Sequence, residues 1–393
     1  MNGRPDVRMA LVHDFLLDLR GAERVFLAMC DLWPDADVFT PVYDPDGTEG
    51  RFEHRNIHTS PLQKLRPTAR TFRVLLPFYP AAIESFDLSG YDLVVSSSSA
   101  WAHAVMCDED TVHLTYCHNP FRYVWNDRDA TLAARRNPLT REALRVLFRR
   151  WRQWDWIAAQ RVDRYVANSR ATQRRIATYF GRESTVVYPP VETERFRPGS
   201  VGDFYLVLSE LMPHKRIQVA IEAFNRLKLP LIVVGDGPDS RRLRRMAGPG
   251  IRFLGRVGDD LVAQLLSACR ALVVTAIEEF GIAAVEAQAA GRPVIGMAGG
   301  GVRETVREGE TGVFWHGGPE ELAEAVTRFD ETEISPEDCV RNAGRFNTAA
   351  FRRRLVRQVE EVLSETDAQP RHDARRTRLP ARAPMRGLGR RLR

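Results

Sequence analysis

Residues 271–304 read ALVVTAIEEFGIAAVEAQAAGRPVIGMAGGGVRE, and the fold is decided by how this stretch is read. It opens on Leu272-Val273-Val274-Thr275, a β-branched run suited to a parallel strand buried on both faces. An acidic loop, Glu278-Glu279-Phe280-Gly281, follows, and Ile282 to Ala290 reads as a helix. Gly291 sits where a helix ends in the left-handed conformation, and Pro293 behind it prevents continuation. Val294-Ile295 begins another strand, which runs out into Gly299-Gly300-Gly301. Two strand ends, a helix N-terminus and a glycine loop thus converge. Open α/β sheets bind ligands at such a place, and a helix N-terminus offers free N–H groups to an anion.

Glu278 lies on the loop and Glu286 within the helix, among Ala283, Ala284, Val285, Ala287, Ala289 and Ala290. So many small residues allow close packing. A carboxylate there needs hydrogen-bond donors, which the vicinal hydroxyls of a sugar would supply. Spacing alone equally permits a solvated helix face for Glu286 and a plain loop charge for Glu278.

At 393 residues the chain is long enough for two domains with separate cores. A hydrophobic fraction of 44% with 27% charged residues is that of an ordinary soluble protein rather than a disordered one. No apolar run approaches the roughly 18 residues of a membrane helix. The N-terminus, MNGRPDVRMALVHDFLLDLRG, has only a short apolar strand before His13-Asp14 and does not read as a signal peptide. Cys30, Cys107, Cys117, Cys269 and Cys339 are scattered without CxxC spacing. They suit a reduced cytoplasm and argue against zinc and against a disulfide framework. The net charge of +6 belongs to the end of the chain: residues 371–393 hold nine arginines against Asp373 alone, a local +8, which leaves −2 for residues 1–370. That tail is expected to be disordered. It is either a plain solvated extension or a segment drawn to anionic lipid at the inner membrane surface. No interleaved aromatics support a nucleic-acid partner.

Strands and helices alternate along the chain, with one interruption at Pro189-Pro190 and the residues up to Ser200. The expected fold class is therefore α/β, two doubly wound Rossmann-like domains facing a cleft. Their expected extents are 1–195 and 196–348, followed by a helix over 349–367 and the basic tail 368–393. Val7 to Val12 reads as a first strand leading to His13-Asp14, then Arg20-Gly21-Ala22-Glu23-Arg24 opens a helix ending at Leu32. Gly21 would let backbone N–H groups approach a phosphate, although a lone glycine before a helix is commonly a plain turn. Pro61 to Tyr79 mixes Lys64, Arg66, Arg70 and Arg73 with Leu62, Leu65, Phe72, Leu75 and Leu76. It reads as an interfacial helix shortened by Pro67, or as an ordinary helix covering the sheet.

Tyr91 to Val95 is a strand ending in Ser96 to Ser99, and Val112 to Tyr116 is another, ending at Cys117-His118. His118 at a strand end is by itself most simply a satisfied structural histidine. Trp151, Trp154 and Trp156 fit core and interface packing. The second domain opens with Phe204 to Ser209, then Glu210-Leu211-Met212-Pro213-His214-Lys215-Arg216. Gly235-Asp236-Gly237-Pro238 lacks the third glycine of a dinucleotide fingerprint and reads as a turn. Phe253 to Val257, including Arg256, is a short strand and its end, and Glu320–Phe329 and Arg352–Leu363 read as helices.

The segment Glu278-Glu279-Phe280-Gly281-Ile282-Ala283-Ala284-Val285-Glu286 resembles the donor-site signature of the retaining glycosyltransferases of family 4, which have the GT-B fold. Similar features extend over most of residues 8–365, and the bacterial mannosyltransferase-like branch of surface polysaccharide biosynthesis is the most similar. The resemblance implies a hexosyltransferase that moves a glycosyl group, with retention, from a nucleotide-diphosphate sugar to a carbohydrate hydroxyl. It points to GDP-mannose as donor and a lipid-linked or oligosaccharide acceptor at the cytoplasmic membrane face. It implies no cofactor and no metal. On it, Glu286 would take the ribose hydroxyls, Glu278 the donor sugar, and the N–H groups of Gly281 and Ile282 would join Glu278. Phe280 belongs to the same motif. Lys215, with Arg216, would neutralise the diphosphate as the anomeric bond breaks. Arg256 would line the base pocket, His118 would stand beside the sugar, and Gly21 would face the phosphate. Two departures stand out: Ala22 replaces a second glycine, and Glu210 stands where an arginine is usual, where it should repel a diphosphate.

Paired carboxylates could also serve a glycoside hydrolase, but a phosphate-suited helix N-terminus with Lys215 and a glycine loop argues against it. Asp-x-Asp triplets at 35–37, 44–46, 108–110 and 127–129 are as many as chance gives in an acidic background. A nucleotide-sugar epimerase of the same fold, or a non-catalytic nucleotide-sugar-binding scaffold, is the alternative.

Overall fold

A computed structural model describes residues 7–69 and 71–368. Arg70 and the arginine-rich tail lie outside these residues, so the expectations for them have no structural counterpart here. The first sheet contains β1 (Met9–His13), β2 (Asp37–Thr40), β3 (Ile57–Thr59), β4 (Leu93–Ser98), β5 (Val112–Cys117), β6 (Arg164–Ala167) and β7 (Ser184–Val186). Its order is β3-β2-β1-β4-β5-β6-β7, with every neighbouring pair parallel. The second contains β8 (Tyr205–Leu208), β9 (Leu231–Val234), β10 (Ile251–Gly255), β11 (Leu272–Val274), β12 (Val294–Met297) and β13 (Gly312–Trp315), in the order β10-β9-β8-β11-β12-β13, again parallel. Parallel neighbours need crossovers, and the helices that provide them cover both faces of each sheet.

Side-chain alternation sorts each strand between two cores. In β1, Met9 and Leu11 pack with Phe26, Leu355 and Val359, while Ala10 and Val12 pack with Tyr79 and Trp101 on the opposite face. In β8, Tyr205 and Val207 join Phe224, whereas Leu206 joins Leu272 and Phe280. With no solvent face, these strands are apolar apart from His13 at the cleft end of β1.

The chain crosses between domains twice, side by side. Val191 N–H donates to Phe346 O at 3.0 Å, and Val191 pairs with Asn347 in an isolated bridge. Beyond this point the Thr348–Ala368 helix lays Phe351, Leu355, Val359 and Val362, spaced three and four apart on one stripe, into the first domain's core.

Two local readings are corrected and a third is filled in. Pro61–Tyr79 is not one helix: two 3₁₀ segments, Pro61–Leu65 and Phe72–Phe78, precede an α-helical Tyr79–Glu84. Pro67, Pro77 and Pro80 each lack the N–H a longer helix needs. Strand β4 runs into its serines as expected and ends at Ser98. Ser96 Oγ meets His113 Nε2 at 2.9 Å and Thr115 Oγ1 at 2.8 Å, and Ser98 Oγ meets His103 Nδ1 at 3.1 Å. Satisfied hydroxyls allow a buried strand to carry them. Of the three tryptophans on the Pro138–Ala159 helix, Trp151 is core, but Trp156 is 49% exposed.

Candidate active site

The strand order reverses between β1 and β4 in one sheet and between β8 and β11 in the other. The carboxyl ends of those strands face one another across a cleft of about 510 Å³. Gly21, His118, Lys215, Arg256, Glu278, Phe280, Gly281 and Ile282 all line it. Arg216 and Glu286 do not.

On the second domain, the glycine loop sets the position of the acidic loop. Gly301 N–H donates to Glu278 O at 2.8 Å, and Gly300 bridges to Glu278. A Cβ on Gly300 would lie 2.1 Å from Glu278 O, so only glycine permits this approach. Gly281, at φ +91°, turns the chain into the Ile282–Ala289 helix. Lys215 closes a short 3₁₀ turn whose carbonyl accepts from Thr275 Oγ1 at 2.6 Å. Its Nζ donates to both Glu278 oxygens, at 2.9 and 2.8 Å. A cation and a carboxylate from the ends of different strands are thereby fixed together in the cleft.

On the first domain, His118 ends a buried relay. His13 Nδ1 is 3.1 Å from both the carbonyl and the hydroxyl of Ser97, and Ser97 Oγ is 2.8 Å from His118 Nε2. A carbonyl only accepts, so His13 carries its proton on Nδ1. The Ser97 hydroxyl then donates to His118 Nε2, which leaves the His118 proton on Nδ1. Burial, helped by the nearby His13, depresses the His118 imidazole to about 3. It is neutral at physiological pH and suited to donating a hydrogen bond. Asp14, next to His13, accepts from the backbone N–H groups of Ser99, Ala100, Trp101 and Ala102 at 2.5 to 3.1 Å and fixes the loop after β4.

Residues that sequence reasoning left without a role complete the cleft. Glu279 accepts from Arg122 at 2.6 Å and stands 3.5 Å from Arg175, both on the first domain. Although partly buried, which raises it, the Glu279 carboxyl is held below the usual range by the charges of these arginines. Glu210 pairs with Arg20 at 2.6 Å, and Asp18 joins Arg20 at 2.9 Å and Arg256 at 3.1 Å. Their signal in the sequence was only proximity to strand ends; their partners lie in the other half of the chain.

Arg216 turns away. Its backbone is left-handed at φ +55°, and its guanidinium donates to Gly317 O at 2.6 Å near the Trp315 ring. Phe280 is anchored between Tyr188 and Phe346 at ring separations of 5.6 and 5.4 Å. Glu286 lines a neighbouring cavity of about 130 Å³ with Arg24 and Arg195, and Ile282 borders both spaces. Burial pushes the Glu286 carboxyl up to about 7, against the lowering pull of Arg24 and Arg195. The fold keeps this proton after the unfolded chain has lost it. The associated stability is complete below the ordinary glutamate range and is lost as pH rises toward about 7. Glu286→Gln should therefore raise the melting temperature by a few degrees near pH 8 and by much less near pH 4.5. Equal shifts at the two pH values in a calorimetric scan would refute this ionisation cost.

The family model described as Glycosyltransferase Family 4 matches residues 19–195, and that described as Glycosyl transferases group 1 matches residues 192–346. A D-inositol 3-phosphate glycosyltransferase of Geodermatophilus obscurus is 32% identical over 222 residues, covering 47% of this chain and 49% of that protein. A GDP-mannose-dependent alpha-(1-6)-phosphatidylinositol monomannoside mannosyltransferase of Mycobacterium tuberculosis is 30% identical over 192 residues, covering 40% and 50%. The chain thus spans about half the length of these curated relatives. Among solved structures, sucrose-phosphate synthase of Thermosynechococcus elongatus superposes with a TM-score of 0.70 at 18% identity, over 91% of this chain and 100% of that one. Alr3699/HepE of Anabaena, in complex with UDP, gives 0.67 at 18%, over 90% and 100%. At these identities the likeness is one of fold.

Proposed function

This chain belongs to the glycosyltransferases of family 4 and group 1, with the GT-B fold, and we propose that it is a hexosyltransferase acting with retention on a nucleotide-diphosphate sugar. The observation that carries the reading is the Lys215–Glu278 pair, held at a strand end against the glycine loop in the interdomain cleft. Lys215 takes the leaving diphosphate, which gains negative charge as the anomeric bond breaks. Glu278 and the N–H groups of Gly281 and Ile282 bind the sugar hydroxyls, and His118 Nδ1–H donates to the sugar from the opposite domain. Arg256 lies by the base. Glu286 takes the ribose, which would lie just past Ile282. The positive charge that the diphosphate needs comes from side chains, and the reading calls for no metal or cofactor.

The mannosyltransferase relative, whose name specifies GDP-mannose, supports mannose from GDP-mannose. The acceptor in this reading is a lipid-linked or oligosaccharide chain in polysaccharide biosynthesis, met in the cytoplasm at the inner face of the membrane. Exposed Leu65, Val74 and Phe78, with Lys64, Arg66 and Arg73 alongside in sequence, support contact with an anionic surface. Among the described residues no helix is long and apolar enough to cross a membrane. No role for nucleic acid enters this reading. Glu210 was the one feature favouring a non-catalytic scaffold, and its pairing with Arg20 offsets the repulsion that argument needed.

Calorimetric titration with GDP, UDP and ADP tests the donor assignment. One nucleotide should bind with a micromolar dissociation constant, and Glu286→Ala should weaken it by about tenfold or more. Binding unchanged in Glu286→Ala would remove that residue from the donor site.

A further inference from the structure

The cations lining the cleft are each matched by a carboxylate: Lys215 with Glu278, Arg122 with Glu279, Arg256 with Asp18, and Arg20 with Glu210. A diphosphate entering this space therefore competes with these carboxylates for the cations. The four pairs are not equally exchangeable. Glu279 is gripped by two arginines and is 22% exposed. Glu210 is 42% exposed, and its carboxylate has no partner but Arg20 among the described residues. Arg20, 40% exposed, is held independently of Glu210, because its Nε donates to Asp18 Oδ2 at 2.9 Å while Nη1 faces Glu210 at 2.6 Å. Releasing Glu210 would thus leave the guanidinium aimed into the cleft with its outer nitrogens free.

We propose that Arg20 is a ligand of the donor's diphosphate, and that Glu210 is the carboxylate which the diphosphate displaces from it. The inference rests on the donor reading of the cleft. A planar guanidinium matches phosphate oxygens in bidentate geometry, and a diphosphate carries more charge than the single carboxylate it replaces. Glu210, once unpaired, swings toward solvent. Because Arg20 belongs to the first domain and Lys215 to the second, the diphosphate would then be held from both sides of the cleft. Donor binding and domain closure become linked.

The test is calorimetric titration of the full chain with GDP, UDP and ADP, continued with whichever binds. Arg20→Gln should weaken that nucleotide by about tenfold or more, and Glu210→Gln should tighten it by about threefold or more, since the competing charge is gone. In the Arg20→Gln/Glu210→Gln double variant the gain from Glu210→Gln should disappear, as it acts only through Arg20. Unchanged or weaker binding in Glu210→Gln overturns the proposal, and this variant decides the matter if Arg20→Gln does not fold. A Glu210→Gln gain that persists without Arg20 overturns it as well. If wild type binds and Lys215→Gln weakens binding while neither Arg20→Gln nor Glu210→Gln changes it, the Arg20 assignment alone fails. If wild type binds none of the three nucleotides, the donor reading fails and this inference with it.

Discussion

Lys215→Ala is expected to lower the turnover of glycosyl transfer by about 10²–10³-fold, with a smaller effect on donor affinity. The difference between the two effects has a physical origin. In the ground state the diphosphate charge is spread over its oxygens and shared with the other cations of the cleft. As the anomeric bond breaks, one further negative charge develops on the leaving oxygen, and an ammonium fixed beside it stabilises that state more than the bound donor. Lys215 is suited to this because its turn is tied down by Thr275 Oγ1 and its amine is oriented by both Glu278 oxygens. Removing it also leaves Glu278 without its cation, so the sugar-side carboxylate then faces the diphosphate uncompensated. Steady-state rates with the sugar of the nucleotide that binds best would check this. Turnover within threefold of wild type would exclude Lys215 from charge stabilisation.

The second large effect concerns stability. Asp14→Ala should cost about 3–5 kcal/mol, since each buried amide left without an acceptor costs on the order of 1–3 kcal/mol and partial relaxation recovers some of it. Asp14 is 1% exposed and accepts four backbone N–H groups from Ser99 to Ala102. Alanine leaves those four amides without an acceptor in a buried loop. Trp101, stacked on Tyr79 with ring centroids 5.0 Å apart, prevents the loop from moving out toward water. Urea denaturation should show a lower midpoint with an unchanged slope. A loss below about 1 kcal/mol would mean that the loop finds other acceptors. Because Ser99 lines the cleft and Ser97 holds His118, activity should fall alongside stability.

The sequence around residues 271–304 determined a great deal without help. Leu272–Val274, the helix from Ile282 and the stop at Gly291, found at φ +73°, each follow from sterics acting over a few residues. The glycine triplet was likewise legible as a loop at a strand end, although its close approach to the backbone of Glu278 to Phe280 was not. The family resemblance, laid over the expected strand ends, supplied Gly21, His118, Lys215 and Glu278, and all four line the cleft. That β4 ends in serines was legible, but their partners His113 and Thr115 in β5 were not, because strand pairing joins residues far apart in the chain.

Only the tertiary structure decided the electrostatics. Glu210, read alone, repels a diphosphate; opposite Arg20, 190 residues earlier, it is a neutralised and exchangeable partner. Arg216, adjacent to Lys215 in sequence, points to Gly317 because Arg216 is itself left-handed and turns the chain at that residue. Glu286 shares a motif with Glu278, yet one side of the helix opens onto the cleft and the other onto a separate cavity against the first domain. Local sequence fixes backbone geometry, since the forces involved act between near neighbours. The charge state and partner of a side chain depend on which distant strand ends the two sheets bring together.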